Sequence, residues 1–148
     1  MQVFLSYSSK DEKYAGALRE QLTRLGLEVW NPGRELLPGS NWALETGHAL
    51  ERAEGVVFLF SKEAVQSRWA RMEVEYAITQ PKFEGKLVSV LLSPHLDIPW
   101  ILRNLPLVNA EGQKPATVAR QIVRKLGAPS VRAEPKRRPA RKRSTSGA

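Results

Sequence analysis

Gly55-Val56-Val57-Phe58-Leu59-Phe60-Ser61 is the stretch on which the fold turns. Its apolar residues run without a polar alternate, and they are β-branched or aromatic. A strand of that kind is buried on both faces, as in the middle of a parallel sheet. Upstream, Val3-Phe4-Leu5 reads as a first strand and Leu27-Glu28-Val29-Trp30 as a second. Between them Tyr14, Ala15, Leu18, Leu22 and Leu25 recur at helical spacing, with Gly26 as the stop. Ser9-Lys10-Asp11-Glu12 matches an S-x-x-E capping box ahead of that helix. A turn-rich loop, Asn31 to Ser40, leads into a second helix from Asn41 or Trp42 to Ala53. Downstream, a third helix covers Ser67 to Thr79 and stops before Pro81, and Leu87 to Leu92 is the fourth strand. Ser93 to Pro106 reads as loop and Leu107-Val108 as a short edge strand. Val118, Ala119, Ile122, Val123 and Leu126 form the apolar stripe of a last helix closed by Gly127.

This alternation predicts an α/β fold: a flavodoxin-like five-stranded parallel sheet, order 2-1-3-4-5, with helices on both faces. In that order the crevice lies between the C-terminal ends of strands 1 and 3. The loops lining it start at Ser6-Tyr7-Ser8 and at Ser61.

The 148 residues hold no cysteine, which excludes disulfides, thiolate metal sites and cysteine nucleophiles. His48 and His95 are the only imidazoles, too few for a dedicated zinc site. No apolar run approaches the roughly 20 residues that span a bilayer. Met1 to Ser6 has neither a basic nor a long apolar segment, so no secretory signal is read and the cytoplasm is the expected location. The net charge of +8 is uneven. Residues 127–148 hold seven basic residues against one acid, so the globular part is nearly neutral. The expected organisation is a folded domain over 1–127 and a disordered, basic, Pro-rich tail over 128–148, which lacks the apolar residues to repay its ordering. The plain reading of the tail is a solubilising end or linker. The alternative is electrostatic contact with nucleic acid or an anionic surface, steeply salt-dependent and lost with residues 128–148.

Several chemistries have no motif here. There is no G-x-G-x-x-G, no G-x-x-x-x-G-K-[ST] and no G-x-S-x-G. The end of strand 1 offers Ser6, Tyr7 and Ser8 where a phospho-receiver needs carboxylates. What stands out is Trp69 and Glu73 at i, i+4 on the helix after the central strand, sharing one face. A carboxylate beside aromatic surface is partly desolvated and stabilises a cation better than one in water, which suits N-glycosidic cleavage. The plainer alternative is a core tryptophan and a solvated helix glutamate.

Three segments resemble the TIR (Toll/interleukin-1 receptor) domain, bacterial NAD-cleaving type. Val3-Phe4-Leu5-Ser6-Tyr7-Ser8-x-x-Asp11 resembles its first box, and Arg34-Glu35-Leu36-Leu37-Pro38-Gly39 its second. Ser67-x-Trp69-x-x-x-Glu73 resembles the segment carrying the glutamate of NAD-cleaving members. Two departures stand out. Ala70 sits where many relatives have cysteine, and the Phe-Trp third box is not evident, Trp100 lying in a loop. Both bear more on animal-type receptor signalling than on the enzymatic reading.

The resemblance implies cleavage of the nicotinamide–ribose bond of NAD+ to ADP-ribose or a cyclised form, in bacterial antiphage or stress signalling. It assigns Glu73 as the catalytic carboxylate and Trp69 as a pocket wall. Ser6, Tyr7 and Ser8 line the opposite side, and Arg34 contacts the dinucleotide. Glu75, at i+2, points elsewhere. NAD+ is the substrate rather than a cofactor, and no metal is implied. The resemblance also implies self-association through the Arg34–Gly39 loop and contact with other TIR domains. The alternative is a non-catalytic module that works by TIR–TIR contacts alone.

Overall fold

The computed structural model describes residues 1–30, 42–66, 68–98 and 100–127, without the side chains of 42–45, 68–70 and 101. Strand β1 spans Gln2–Ser6, β2 Glu28–Trp30, β3 Gly55–Phe60, β4 Leu87–Leu91 and β5 Leu107–Asn109. All pair in parallel, in the order β2-β1-β3-β4-β5. The expected topology is the observed one. Strand β3 is buried along its whole length, as an uninterrupted apolar run in the middle of a covered sheet requires.

Alternation along the strands sorts their side chains onto two faces. Helices α1 (Glu12–Arg24) and α5 (Pro115–Leu126) cover one of them. There Val3, Leu5, Val57, Leu59, Val88 and Val90 meet Leu18, Leu22, Ile122 and Leu126. On the other, Phe4, Val56, Phe58 and Phe60 meet Ala49 and Leu50 of α2 (Trp42–Arg52) and Val74 and Ala77 of α4 (Arg68–Ile78). Phe4 also stacks on Trp30, ring centroids 5.3 Å apart. Gly127 ends α5 at φ 70°, in the left-handed region, where its N–H returns to the Val123 and Arg124 carbonyls.

Three expectations change. A short helix, α3 (Lys62–Gln66), stands between β3 and α4, where the sequence reading placed loop. Ser61 starts it: the Ala64 N–H donates to Ser61 Oγ at 3.2 Å. The capping box shifts by one residue. Ser8, not Ser9, leads a 3-10 turn over Ser9–Asp11 by accepting the Lys10 N–H, and Glu12 turns to the Tyr7 hydroxyl. A 3-10 segment, Trp100–Asn104, also sits inside the stretch expected as loop. The Asn31–Ser40 loop, Ser67 and the tail over 128–148 lie outside the described residues.

Candidate active site

Ser6 is the last residue of β1 and shares its parity with Phe4, so it faces the α2/α4 layer. Glu73 sits in the second turn of α4, one residue before the core side chain Val74. The two meet across 67 residues of sequence: Ser6 Oγ donates to Glu73 Oε1 in a buried hydrogen bond. Glu73 is 6% exposed and Ser6 2%. The solvated-glutamate alternative is thereby set aside. Burial pushes the Glu73 carboxyl up to about 7 from 4.5, and the Ser6 hydroxyl bond opposes part of that rise. Glu75 is exposed, as its i+2 spacing requires.

The other expected site residues divide. Tyr7 and Ser8 are half-buried beyond Ser6, on the loop over the strand end. The Tyr7 hydroxyl donates to Glu12 at 2.9 Å and Ser8 Oγ accepts from the Lys10 N–H at 3.3 Å. Among the described residues, Ser6 is the one of the three bonded to Glu73. Trp69 belongs to α4, but its side chain lies outside the described residues, as does Arg34 entirely.

Two features escaped the sequence reading. At the end of β3, Ser61 Oγ donates to Asp11 Oδ2 at 2.5 Å. Burial lifts the Asp11 carboxyl above its ordinary range, the Ser61 bond pulls it back, and Glu63 lifts it further. The signal was present, since Ser61 starts one of the loops expected at the crevice. On α2, Thr46 is 5% exposed and its buried hydroxyl has no hydrogen-bond partner among the described residues. A single threonine in an amphipathic helix gives no signal of that kind.

Two grooves lie elsewhere. One, of about 420 Å³, is lined by Ile78, Phe83, Leu87, Leu105 and Pro106 at the start of β4. The other, of about 750 Å³, is lined by Gln66, Arg71, Trp100 and Arg103 on the outer side of α4. Neither contains Ser6 or Glu73. No group of three or more His, Asp or Glu side chains among the described residues is arranged to hold a metal ion. No described helix is long and apolar enough to cross a membrane.

A parallel sheet in this order, with a buried carboxylate at the crevice between its first and third strands, defines an α/β domain of flavodoxin-like topology. The TIR domain family matches residues 3–124, and the chain belongs to that family. Among solved structures, the TIR domain of the Toll-related receptor TRR-2 from Hydra magnipapillata superposes with a TM-score of 0.62 at 17% identity. That match covers 72% of this chain and 81% of that one. A metazoan TIR-STING receptor from C. gigas, in complex with 2′,3′-cGAMP, gives a TM-score of 0.71 at 24% identity, covering 87% of this chain and 40% of that one. The TIR domains of the activated Roq1 resistosome, which directly recognises the effector XopQ, give 0.55 at 25% identity, covering 83% and 70%. Comparison with curated proteins gave no match.

Proposed function

We propose that this TIR domain cleaves the nicotinamide–ribose bond of NAD+, with Glu73 as the catalytic carboxylate. The observation that carries the reading is the buried Ser6–Glu73 pair at the crevice. A carboxyl held near 7 is about half protonated in the empty site at neutral pH. The pyridinium of NAD+ brings a positive charge, and a nearby cation favours the ionised carboxylate. As the glycosidic bond breaks, its electron pair passes to the pyridinium nitrogen, nicotinamide leaves neutral, and positive charge moves to the ribose. A carboxylate in a water-poor site is preorganised for that charge and needs no solvent rearrangement to meet it. Water then adds to the anomeric carbon and gives up a proton, yielding ADP-ribose. Attack by a group of the same molecule instead yields a cyclic product.

In this reading Ser6 orients the carboxylate, Trp69 walls the nicotinamide side, Tyr7 and Ser8 line the loop opposite, and Arg34 takes a diphosphate oxygen. The domain works in the cytoplasm and self-associates through the Arg34–Gly39 loop. The several TIR domains of the Roq1 resistosome support assembly of this kind. The domain takes up residues 1–127, with the basic, Pro-rich segment 128–148 outside it.

The test is chromatographic NAD+ turnover by wild type, Glu73→Ala and Glu75→Ala, each at low and high protein concentration. The reading expects nicotinamide from wild type and Glu75→Ala and none from Glu73→Ala. If no protein consumes NAD+ when concentrated and self-associated, the domain acts through TIR–TIR contacts alone.

A further inference from the structure

Two serine–carboxylate pairs flank the junction of β1 and β3, one on each face of the sheet. On the α2/α4 face, Ser6 of β1 holds Glu73 of α4, the helix that follows β3. On the α1/α5 face, Ser61 at the end of β3 holds Asp11 at the start of α1, the helix that follows β1. Ser61 continues the parity of Val57 and Leu59, which is why it meets α1. The pairing is reciprocal: each strand end grips the helix belonging to the other.

The Asp11 carboxylate caps no helix N–H of α1. It is half-buried, and the bond it makes among the described residues is the one from Ser61. Its own backbone N–H donates to the Ser8 carbonyl at 2.8 Å, closing the turn that follows Ser6 and Tyr7. Ser61 in turn accepts the Ala64 N–H and so starts α3, which packs on α4. One hydrogen bond therefore ties the loop lining one side of the crevice to the helices that carry the other side.

We infer that the Asp11–Ser61 pair is a positioning clasp for Glu73, holding the β1 loop and the α3–α4 segment at the separation that keeps the Ser6–Glu73 pair dry. The inference rests on Glu73 as the acting carboxylate. Asp11 itself touches no reacting atom. Opening the clasp admits water to Glu73. Burial is the largest influence on that carboxyl, so its titration falls toward the ordinary carboxylate range even though the Ser6 bond is loosened at the same time.

The experiment is a carbon-13 NMR titration of the Glu73 side-chain carboxyl in the full chain, assigned with Glu73→Gln. Wild type is compared with Asp11→Ala, Ser61→Ala, Ser61→Thr and Val123→Ala. Val123 is a core residue of α5, so its truncation lowers stability without touching the clasp. Asp11→Asn replaces Asp11→Ala if the truncated form does not fold. Glu73 is expected to titrate near 7 in wild type and Val123→Ala. In Asp11→Ala and Ser61→Ala it moves down by about one unit or more, and Ser61→Thr, which keeps the hydroxyl, restores it. The clasp is overturned if Glu73 stays put or rises in folded Asp11→Ala. It is overturned equally if Glu73 moves only in Ser61→Ala, which assigns the effect to the α3 cap, or as far in Val123→Ala. A wild-type value in the ordinary carboxylate range overturns it as well. No NAD+ enters the titration, so its outcome is separable from NAD+ turnover. A clasp shift without turnover sinks the proposed function alone, and turnover without the shift sinks the clasp alone.

Discussion

On the α1/α5 face, Leu18, Leu22, Ile122 and Leu126 close over Val3, Leu5, Val57 and Val88, and at its edge Ser61 holds the half-buried Asp11. On the α2/α4 face, Leu50, Val74 and Ala77 close over Phe4, Val56 and Phe58, but the same layer continues to a buried serine and a buried glutamate. The same strands and the same alternation of side chains serve both sides. The difference is in the acid that the strand-end serine holds: Asp11 stays half-buried, whereas Glu73 is 6% exposed. Ser6 offers a hydroxyl at the lip of the α2/α4 layer, and that donor lets α4 bring Glu73 inward. A buried carboxyl without such a partner would leave the layer unstable. One face therefore contributes stability, and the other gives up part of its own to keep a perturbed acid at the crevice.

The largest effect expected from breaking this contrast is on the apolar face. Ile122→Ala should lower the unfolding free energy by about 2–5 kcal/mol, read by denaturant unfolding, because a fully buried side chain leaves a cavity. The same variant should leave the Glu73 titration near its wild-type value.

The next effect has the opposite sign and lies on the acidic face. The folded chain keeps the Glu73 proton up to about pH 7, while the unfolded chain releases it near 4.5. The folded state thus binds more protons in that window, and stability falls as pH rises through it. Glu73→Gln carries no such proton. It should be more stable than wild type at pH 8 by up to about 3 kcal/mol, with the difference gone below pH 4. Thermal unfolding at the two pH values checks this.

Ser6→Ala sharpens the comparison from the other partner. It removes the donor and leaves the carboxylate buried, so Glu73 should titrate higher still, and stability at pH 8 should drop by about 1–3 kcal/mol. NMR titration and unfolding at pH 8 read the two halves of that expectation.

The smallest effect is expected where the sheet meets the end of α5. A methyl group on Gly55 would lie 3.1 Å from the Lys86 carbonyl oxygen and 3.2 Å from Leu126 Cδ2. The carbonyl belongs to the β3–β4 ladder, since Val56 donates to it at 2.9 Å, so it has little room to yield. Gly55→Ala should cost about 1 kcal/mol, measured by urea unfolding, without changing the Glu73 titration.

How far these features were legible follows from their range along the chain. The six-residue apolar run of β3 reports its own burial, and with the alternation of helices and strands it was enough for the sheet order. The five residues of α3 are too few to show a helical period, so that helix read as loop. The capping box failed because Ser8 and Ser9 both precede the helix, and the Tyr7 hydroxyl competes for Glu12. Glu73 was legible as a candidate through its spacing from Trp69, but its burial was not. An i, i+4 pair looks the same on a wet face and a dry one. Its partner lies 67 residues away, and the Asp11–Ser61 contact spans 50, distances at which no local pattern speaks.

The most direct measurement of the central claim is NAD+ turnover by wild type against Glu73→Gln, at a protein concentration where the wild type self-associates. Glutamine keeps the shape and the acceptor for Ser6 but cannot carry the charge. The account predicts nicotinamide release by wild type and a loss of about a hundredfold or more in Glu73→Gln, with the variant folded and at least as stable at pH 8. Equal turnover by the two proteins, or none by either, would contradict it.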